Sequence, residues 1–77
     1  MEKDQTLDCF GLMCPMPIIK MSEKIKEMDD GQILEVIATD GGIKPDAAAW
    51  CQSTGHKLLG VEEEAGDPVI YRAYIQK

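Results

Sequence analysis

The sequence predicts an α/β fold of the α+β type, a two-layer sandwich in which two helices lie on one face of a four-stranded mixed sheet. Two segments repeat apolar residues at the three- and four-residue steps of a surface helix, four others favour strands, and together they alternate as β-α-β-α-β-β. Neither helical segment is apolar all round, so one sheet can cover the apolar side of each. The 77 residues fit one domain, residues 1–77.

The first strand and helix are predicted from "TLDCFG" and the segment that follows it. The strand ends at Gly11, a residue suited to a tight turn. The apolar positions of the helix recur on one side and are Ile18, Met21, Ile25 and Met28. The run "DDG" at residues 29–31 is expected to end the helix.

Three further strands are predicted. In "QILEVIATD", Leu34, Val36 and Ala38 share one face, which is typical of a central strand. The segments "HKLLGVEEE" and "VIYRAYIQK" are strand-like and are joined by "AGDP", a turn-prone tetrapeptide. The order of the strands in the sheet does not follow from the pattern.

The second helix is predicted in "IKPDAAAWCQSTG". Pro45 and Asp46 suit the first turn of a helix, and Gly55 suits its left-handed end. The residues predicted to face inward are Ala47, Trp50, Cys51 and Thr54.

Composition and charge exclude several classes of protein. Eight Lys and Arg against fourteen Asp and Glu leave a formal charge of −6, which disfavours direct binding of nucleic acid. No apolar run reaches the roughly 18 residues of a membrane span, and the charged "MEKDQTLD" lacks the apolar centre of a signal peptide. We therefore expect a cytoplasmic protein with no membrane partner.

The cysteines are the candidate chemical groups. Three cysteines without an export signal predict free thiols. If Cys14 is the N-cap of the first helix, Pro15 falls at N1 and Pro17 at N3, where a missing N–H costs little. The helix dipole would then favour the thiolate, and the N–H groups of Met16 and Ile18 would be candidate donors to a sulfur anion. The pattern indicates a nucleophilic sulfur.

Each cysteine also has a plainer interpretation. Cys14 could be only a small apolar residue, and Cys51, on the apolar side of the second helix, is predicted to be a core thiol. Cys9, five residues before Cys14, is a candidate secondary thiol that could form a transient disulfide. The Cys and His spacings are too loose to predict zinc, and His56 is assigned to the end of the second helix. No metal or cofactor is predicted.

The segment "LDCFGLMCPMPIIK" closely resembles the N-terminal signature of the TusA-like, or SirA-like, sulfur-carrier family, in which Asp and then Gly-Leu precede Cys-Pro-x-Pro. The matching positions are Asp8, Gly11, Leu12, Cys14, Pro15 and Pro17. The later segment "PDAAAWCQSTGHKL" is similar to the second-helix region of the same family. The resemblance covers nearly the whole chain.

The resemblance implies the same two-layer sandwich and a sulfurtransferase that carries sulfane sulfur as a persulfide on Cys14. The donor would be a protein such as a cysteine desulfurase or a rhodanese-like protein, and the acceptor a protein with a reactive cysteine. The family does not determine the pathway. Its known uses include tRNA thiolation, sulfur supply for molybdenum cofactor, sulfur oxidation and selenium-related pathways. Asp8 would lie near the thiol, with a structural or partner-contact role. The alternative is a non-catalytic redox-regulatory or protein-interaction module that uses Cys9 and Cys14.

Overall fold

A computed structural model describes residues 3–13 and 15–77, and the predicted order of elements is confirmed. Cys14 lies outside the described residues. The elements are β1 (Gln5–Cys9), α1 (Met16–Lys26), β2 (Ile33–Ala38), α2 (Ile43–Thr54), β3 (Lys57–Glu64) and β4 (Ile70–Gln76). Within this part of the chain, no helix has both the length and the apolar character needed to cross a membrane.

The sheet is mixed, with the strand order β1-β2-β4-β3. β1 pairs with β2 in parallel, whereas β4 is antiparallel to both of its neighbours, so β3 runs parallel to β2. The chain therefore makes two crossovers between parallel strands, through α1 and α2, and both move in the same direction across the sheet. Right-handed crossovers of this kind place both helices on one face, and the two helices contact each other there.

The core lies between the helices and the covered face of the sheet. The central strand supplies Leu34, Val36 and Ala38, all fully buried, as the alternation in the sequence predicted. The other buried residues of this core are Cys9, Met21, Ile25, Met28, Ile43, Ala47, Cys51, Ala73 and Ile75. Burial of these side chains is the main force that holds the two layers together.

The first helix begins one residue later than predicted. Pro15, rather than Cys14, is the N-cap, with φ −98° and ψ 13°, and its carbonyl accepts the N–H groups of Ile18 and Ile19 at 3.1 Å each. Pro17 is therefore the second helical residue, not the third. The shift follows from the N–H of Met16, which turns back to the carbonyl of Met13 at 2.9 Å. Pro17 still lies among the first four helical residues, where a missing N–H costs little.

The second helix ends at Gly55, which adopts the predicted left-handed conformation with φ 82°. Its buried residues are Ile43, Ala47 and Cys51. The prediction that Thr54 faces inward was wrong, because its side chain is exposed and its hydroxyl donates to the carbonyl of Trp50 at 2.8 Å. A threonine in the last turn can satisfy its hydroxyl on its own helix and needs no place in the core.

Candidate functional site

The predicted motif lies at one edge of the sheet. Because β1 and β2 run parallel, their carboxyl ends meet at this edge, and each of the helices that follow begins there. In open sheets covered by helices, this is the edge at which ligands and reactive groups are usually held. The motif residues from Asp8 to Pro17 all belong to the connection between β1 and α1 or to its two ends.

Successive backbone N–H groups hold the first part of this connection in place. The N–H of Phe10 donates to Asp8 Oδ1 at 2.9 Å, and the N–H of Leu12 donates to the carbonyl of Cys9 at 3.1 Å. Between them, Gly11 has φ 79°, a conformation that residues with a side chain rarely adopt. The structure thus gives Asp8 a structural contact and explains why the turn requires glycine. We call residues 9–12 the motif turn.

The N–H of Gly11 donates to the hydroxyl of Thr39 at 3.1 Å. Thr39 follows directly after β2, the strand that pairs with β1. Sequence reasoning did not identify Thr39 as a site residue. The available signal was its position, since a polar residue just past the carboxyl end of a central strand lies at the edge where the motif was expected.

The start of α1 offers fewer free donors than the sequence suggested. The prediction that the N–H groups of Met16 and Ile18 would be available to a sulfur anion was wrong, because they donate to the carbonyls of Met13 and Pro15. Pro17 has no N–H, and that of Ile19 also donates to Pro15. What the helix offers an anion at this end is its dipole, and the first turn contains no acidic residue to oppose it.

The two described cysteines are core residues. Cys9 is fully buried, on the same sheet face as its neighbour Ala38. Burial raises the pKa of the Cys9 thiol and is the largest effect on it. The charge of Lys20 lowers this pKa by a smaller amount, and the charge of Asp8 raises it further. Burial likewise raises the pKa of Cys51, and its predicted place in the core is confirmed. The enclosure of Cys9 disfavours its use as a secondary thiol and therefore disfavours the redox-module alternative.

Apolar side chains are concentrated around the motif on the outside of the protein. Within residues 3–13 and 15–77, the large apolar side chains that are exposed are Phe10 (54%), Met13 (72%), Met16 (41%) and Ile19 (44%). All four lie within five residues of Cys14 in sequence. We call them the apolar rim. Exposed apolar side chains that cluster near a reactive residue are typical of surfaces that bind other molecules.

The other groups considered from the sequence were His56 and possible metal ligands. His56 stacks on Trp50, with ring centroids 5.0 Å apart and planes inclined by 16°, at the far end of α2. Among the residues that the structure describes, no three His, Cys, Asp or Glu side chains come together as metal ligands.

Comparison with known proteins gives a consistent result. Residues 5–77 match the family described as Sulfurtransferase TusA. The chain is 49% identical to the putative sulfur carrier protein YrkI of Bacillus subtilis, over 100% of this chain and 99% of that protein. It is 44% identical to the sulfur carrier protein TusA of Pseudomonas entomophila, over 96% of this chain and 89% of that protein.

Of two further matches, one is a longer protein and the other has a lower sequence identity. The chain is 43% identical to a putative sulfur carrier protein of Aquifex aeolicus over 91% of its length, but spans only 36% of that longer protein. The crystal structure of a SirA-like protein from Desulfitobacterium hafniense superposes with a TM-score of 0.70, covering 94% of this chain and 96% of the other. At 20% identity this likeness concerns the fold. The family match over nearly the whole chain shows that this protein belongs to the TusA family of sulfurtransferases.

Proposed function

We propose that the protein is a sulfur carrier that accepts sulfane sulfur as a persulfide on Cys14 and passes it to a cysteine of a partner protein. The observation that carries the proposal is the distribution of the three thiols. Cys9 and Cys51 are enclosed in the core, whereas the residues on either side of Cys14, Met13 and Pro15, are both exposed. Cys14 is then the thiol left for chemistry with another protein. Relatives named as sulfur carriers support the same function.

The reaction needs few groups. The Cys14 thiolate attacks the outer sulfur of a donor persulfide, the sulfur–sulfur bond of the donor breaks, and the donor cysteine leaves as a thiolate. The transferred sulfur keeps its oxidation state, so no electron donor or acceptor is consumed. The reverse exchange delivers the sulfur to an acceptor thiolate. The positive end of the α1 dipole favours the thiolate that this exchange requires.

The apolar rim supports a partner that is itself a protein. A donor persulfide has to come within bonding distance of Cys14, so the partner covers the exposed side chains beside it. Met13 and Met16 are flexible and polarisable, which suits a surface that binds a donor and an acceptor in turn. We propose a cysteine desulfurase or a rhodanese-like protein as the class of donor.

Cyanide extraction tests whether the sulfur is carried. The wild-type chain is treated with glutathione persulfide, separated from the excess reagent, and mixed with cyanide, which removes sulfane sulfur as thiocyanate. We expect about one equivalent of thiocyanate from the wild type and from Cys9→Ser, and none from Cys14→Ser. Serine closely matches cysteine in size, and circular dichroism would show whether each variant is folded. A full equivalent from folded Cys14→Ser would refute the proposal.

A further inference from the structure

We propose that Thr39 is a positioning residue for sulfur transfer, acting on Cys14 through the motif turn; this inference depends on the proposed function. The hydroxyl of Thr39 accepts the N–H of Gly11 at 3.1 Å and joins residues 28 positions apart in sequence. It fastens the turn to the end of β2. Neither the motif nor the family resemblance assigned Thr39 a role.

Apart from the strand pairing of Cys9 with Ala38, the other described hydrogen bonds of the motif turn are local. Asp8 accepts the N–H of Phe10, and the carbonyl of Cys9 accepts that of Leu12, so both bonds could persist if the turn pivoted on the end of β1. The bond to Thr39 is different, because β2 lies in the middle of the sheet and is paired on both sides. It fixes the direction of the turn relative to the sheet and to the start of α1.

The consequence for chemistry is geometric. Exchange at a persulfide needs the attacking sulfur in line with the bond that breaks, and small misplacements of a reacting group lower rates strongly. Leu12, at the end of the turn, packs against the core and is two residues from Cys14. A turn held at Gly11 and at Leu12 limits where the following residues can lie.

The test compares hydroxyl removal with hydroxyl retention. Thr39→Val removes the acceptor and keeps the shape of the side chain, whereas Thr39→Ser keeps the acceptor. The probe is a persulfidated rhodanese-like protein, and the rate constant is measured in single turnovers at saturating donor. We expect Thr39→Val to be slower by about tenfold or more, with an unchanged half-saturating concentration, and Thr39→Ser to be close to the wild type.

Two controls separate positioning from loss of fold. Thr54→Val makes the same chemical change at the far end of α2 and should leave transfer unchanged. Iodoacetamide is a small reagent that can approach a thiol from many directions. The rate at which it alkylates Cys14 should therefore change by less than about twofold in Thr39→Val, which is close to the measurement error. Should Thr39→Val not fold, Thr39→Ala provides the same test.

Three results would overturn the inference. The first is that folded Thr39→Val transfers sulfur at the wild-type rate. The second is that Thr39→Ser transfers sulfur as slowly as Thr39→Val. The third is that alkylation of Cys14 in Thr39→Val slows as much as sulfur transfer does. None of them affects the proposed function, which fails instead if the wild type takes up no sulfur.

Discussion

Tyr74 donates a hydrogen bond of 2.8 Å to Oε2 of Glu35, its partner across the β2–β4 pair, on the sheet face that carries no helix. Both residues are only 4% exposed. The other Glu35 oxygen accepts from Lys3 Nζ at 2.7 Å and from the Thr6 hydroxyl at 3.3 Å, and Tyr74 also contacts Glu62 at 2.9 Å. A buried carboxylate is tolerated here because donors surround it.

Tyr74→Phe is expected to destabilise the protein by about 1–3 kcal/mol, because a buried carboxylate loses a donor while the packing of the ring is kept. Burial and the hydrogen bonds to Glu35 and Glu62 raise the pKa of Tyr74, so its hydroxyl stays protonated as a donor across the ordinary pH range. Urea unfolding measures the change. Tyr71→Phe, in the same strand on the helix-covered face, is the control and should lower the free energy of unfolding by less. Equal costs for the two variants would contradict this account of the Glu35 site.

Glu35 should make the protein less stable in acid. Burial raises the pKa of Glu35, but the hydrogen bonds from Lys3, Tyr74 and Thr6 and the charge of Lys3 outweigh it, so the pKa falls below its ordinary 4.5. A lowered pKa stabilises the fold at pH values above 4.5, and this contribution is lost as the pH falls through the folded-state value. Glu35→Gln should therefore be less stable at neutral pH and should lose less stability on acidification. Urea midpoints measured from about pH 7 to about pH 3 test this; equal losses in both proteins would contradict it.

The apolar rim should matter for protein partners and not for small reagents. Met13→Glu places a charge at its most exposed position, and we expect sulfur transfer from a persulfidated rhodanese-like protein at low donor concentration to slow by about tenfold, the equivalent of 1.4 kcal/mol of binding. Gln52→Glu adds the same charge at an exposed site on α2 and is the control. Loading from glutathione persulfide should be similar in both. If the two variants lose protein-to-protein transfer equally, net charge and not the apolar rim is responsible.

Gly11→Ala should affect both stability and transfer. The φ of 79° at Gly11 costs an alanine about 1–2 kcal/mol, although a methyl group there would meet no atom within 4 Å among the described residues other than its chain neighbours. Gly31 is a matched control, since its φ is 88° and it also faces open space. We expect similar losses of stability in the two alanine variants but slower sulfur transfer only in Gly11→Ala. Equal transfer rates at a temperature where both are folded would show that the motif turn does not position the thiol.

The fold was largely predictable because periodicity determines it in this chain. The two-residue periodicity of Leu34, Val36 and Ala38 and the helical spacing of Met21 and Ile25 each indicate one buried side, and every one of these residues is in the core. The strand order was not predictable, since pairing of β4 between β2 and β3 depends on contacts distant in sequence. The burial of Glu35 was missed for the same reason, because its partners come from two other parts of the chain, the N-terminal segment with Lys3 and Thr6 and the strand β4 with Tyr74.

The candidate site was predicted in part. The turn predicted at Gly11 is confirmed by its φ of 79°, whereas the assignment of the chemistry to Cys14 stays a prediction. The exact start of α1 was missed by one residue, because it depends on whether the N–H of Met16 turns back to Met13. Cys9 was considered a candidate secondary thiol although it alternates along β1 with Leu7, which is partly buried against the core, and this alternation was the signal for its burial. Thr39 was missed because its contact to Gly11 appears only when β1 and β2 are paired.

The position of the transferred sulfur distinguishes Cys14 from the two core cysteines as the carrier. The wild-type chain is mixed with one equivalent of a persulfidated rhodanese-like protein, the sulfur groups are trapped with iodoacetamide, and the peptides containing Cys9, Cys14 and Cys51 are weighed by mass spectrometry. We expect one added sulfur on the Cys14 peptide and none on the other two, because the Cys9 and Cys51 thiols are buried and their pKa values are raised. Added sulfur on the Cys9 or Cys51 peptide, with none on the Cys14 peptide, would contradict it.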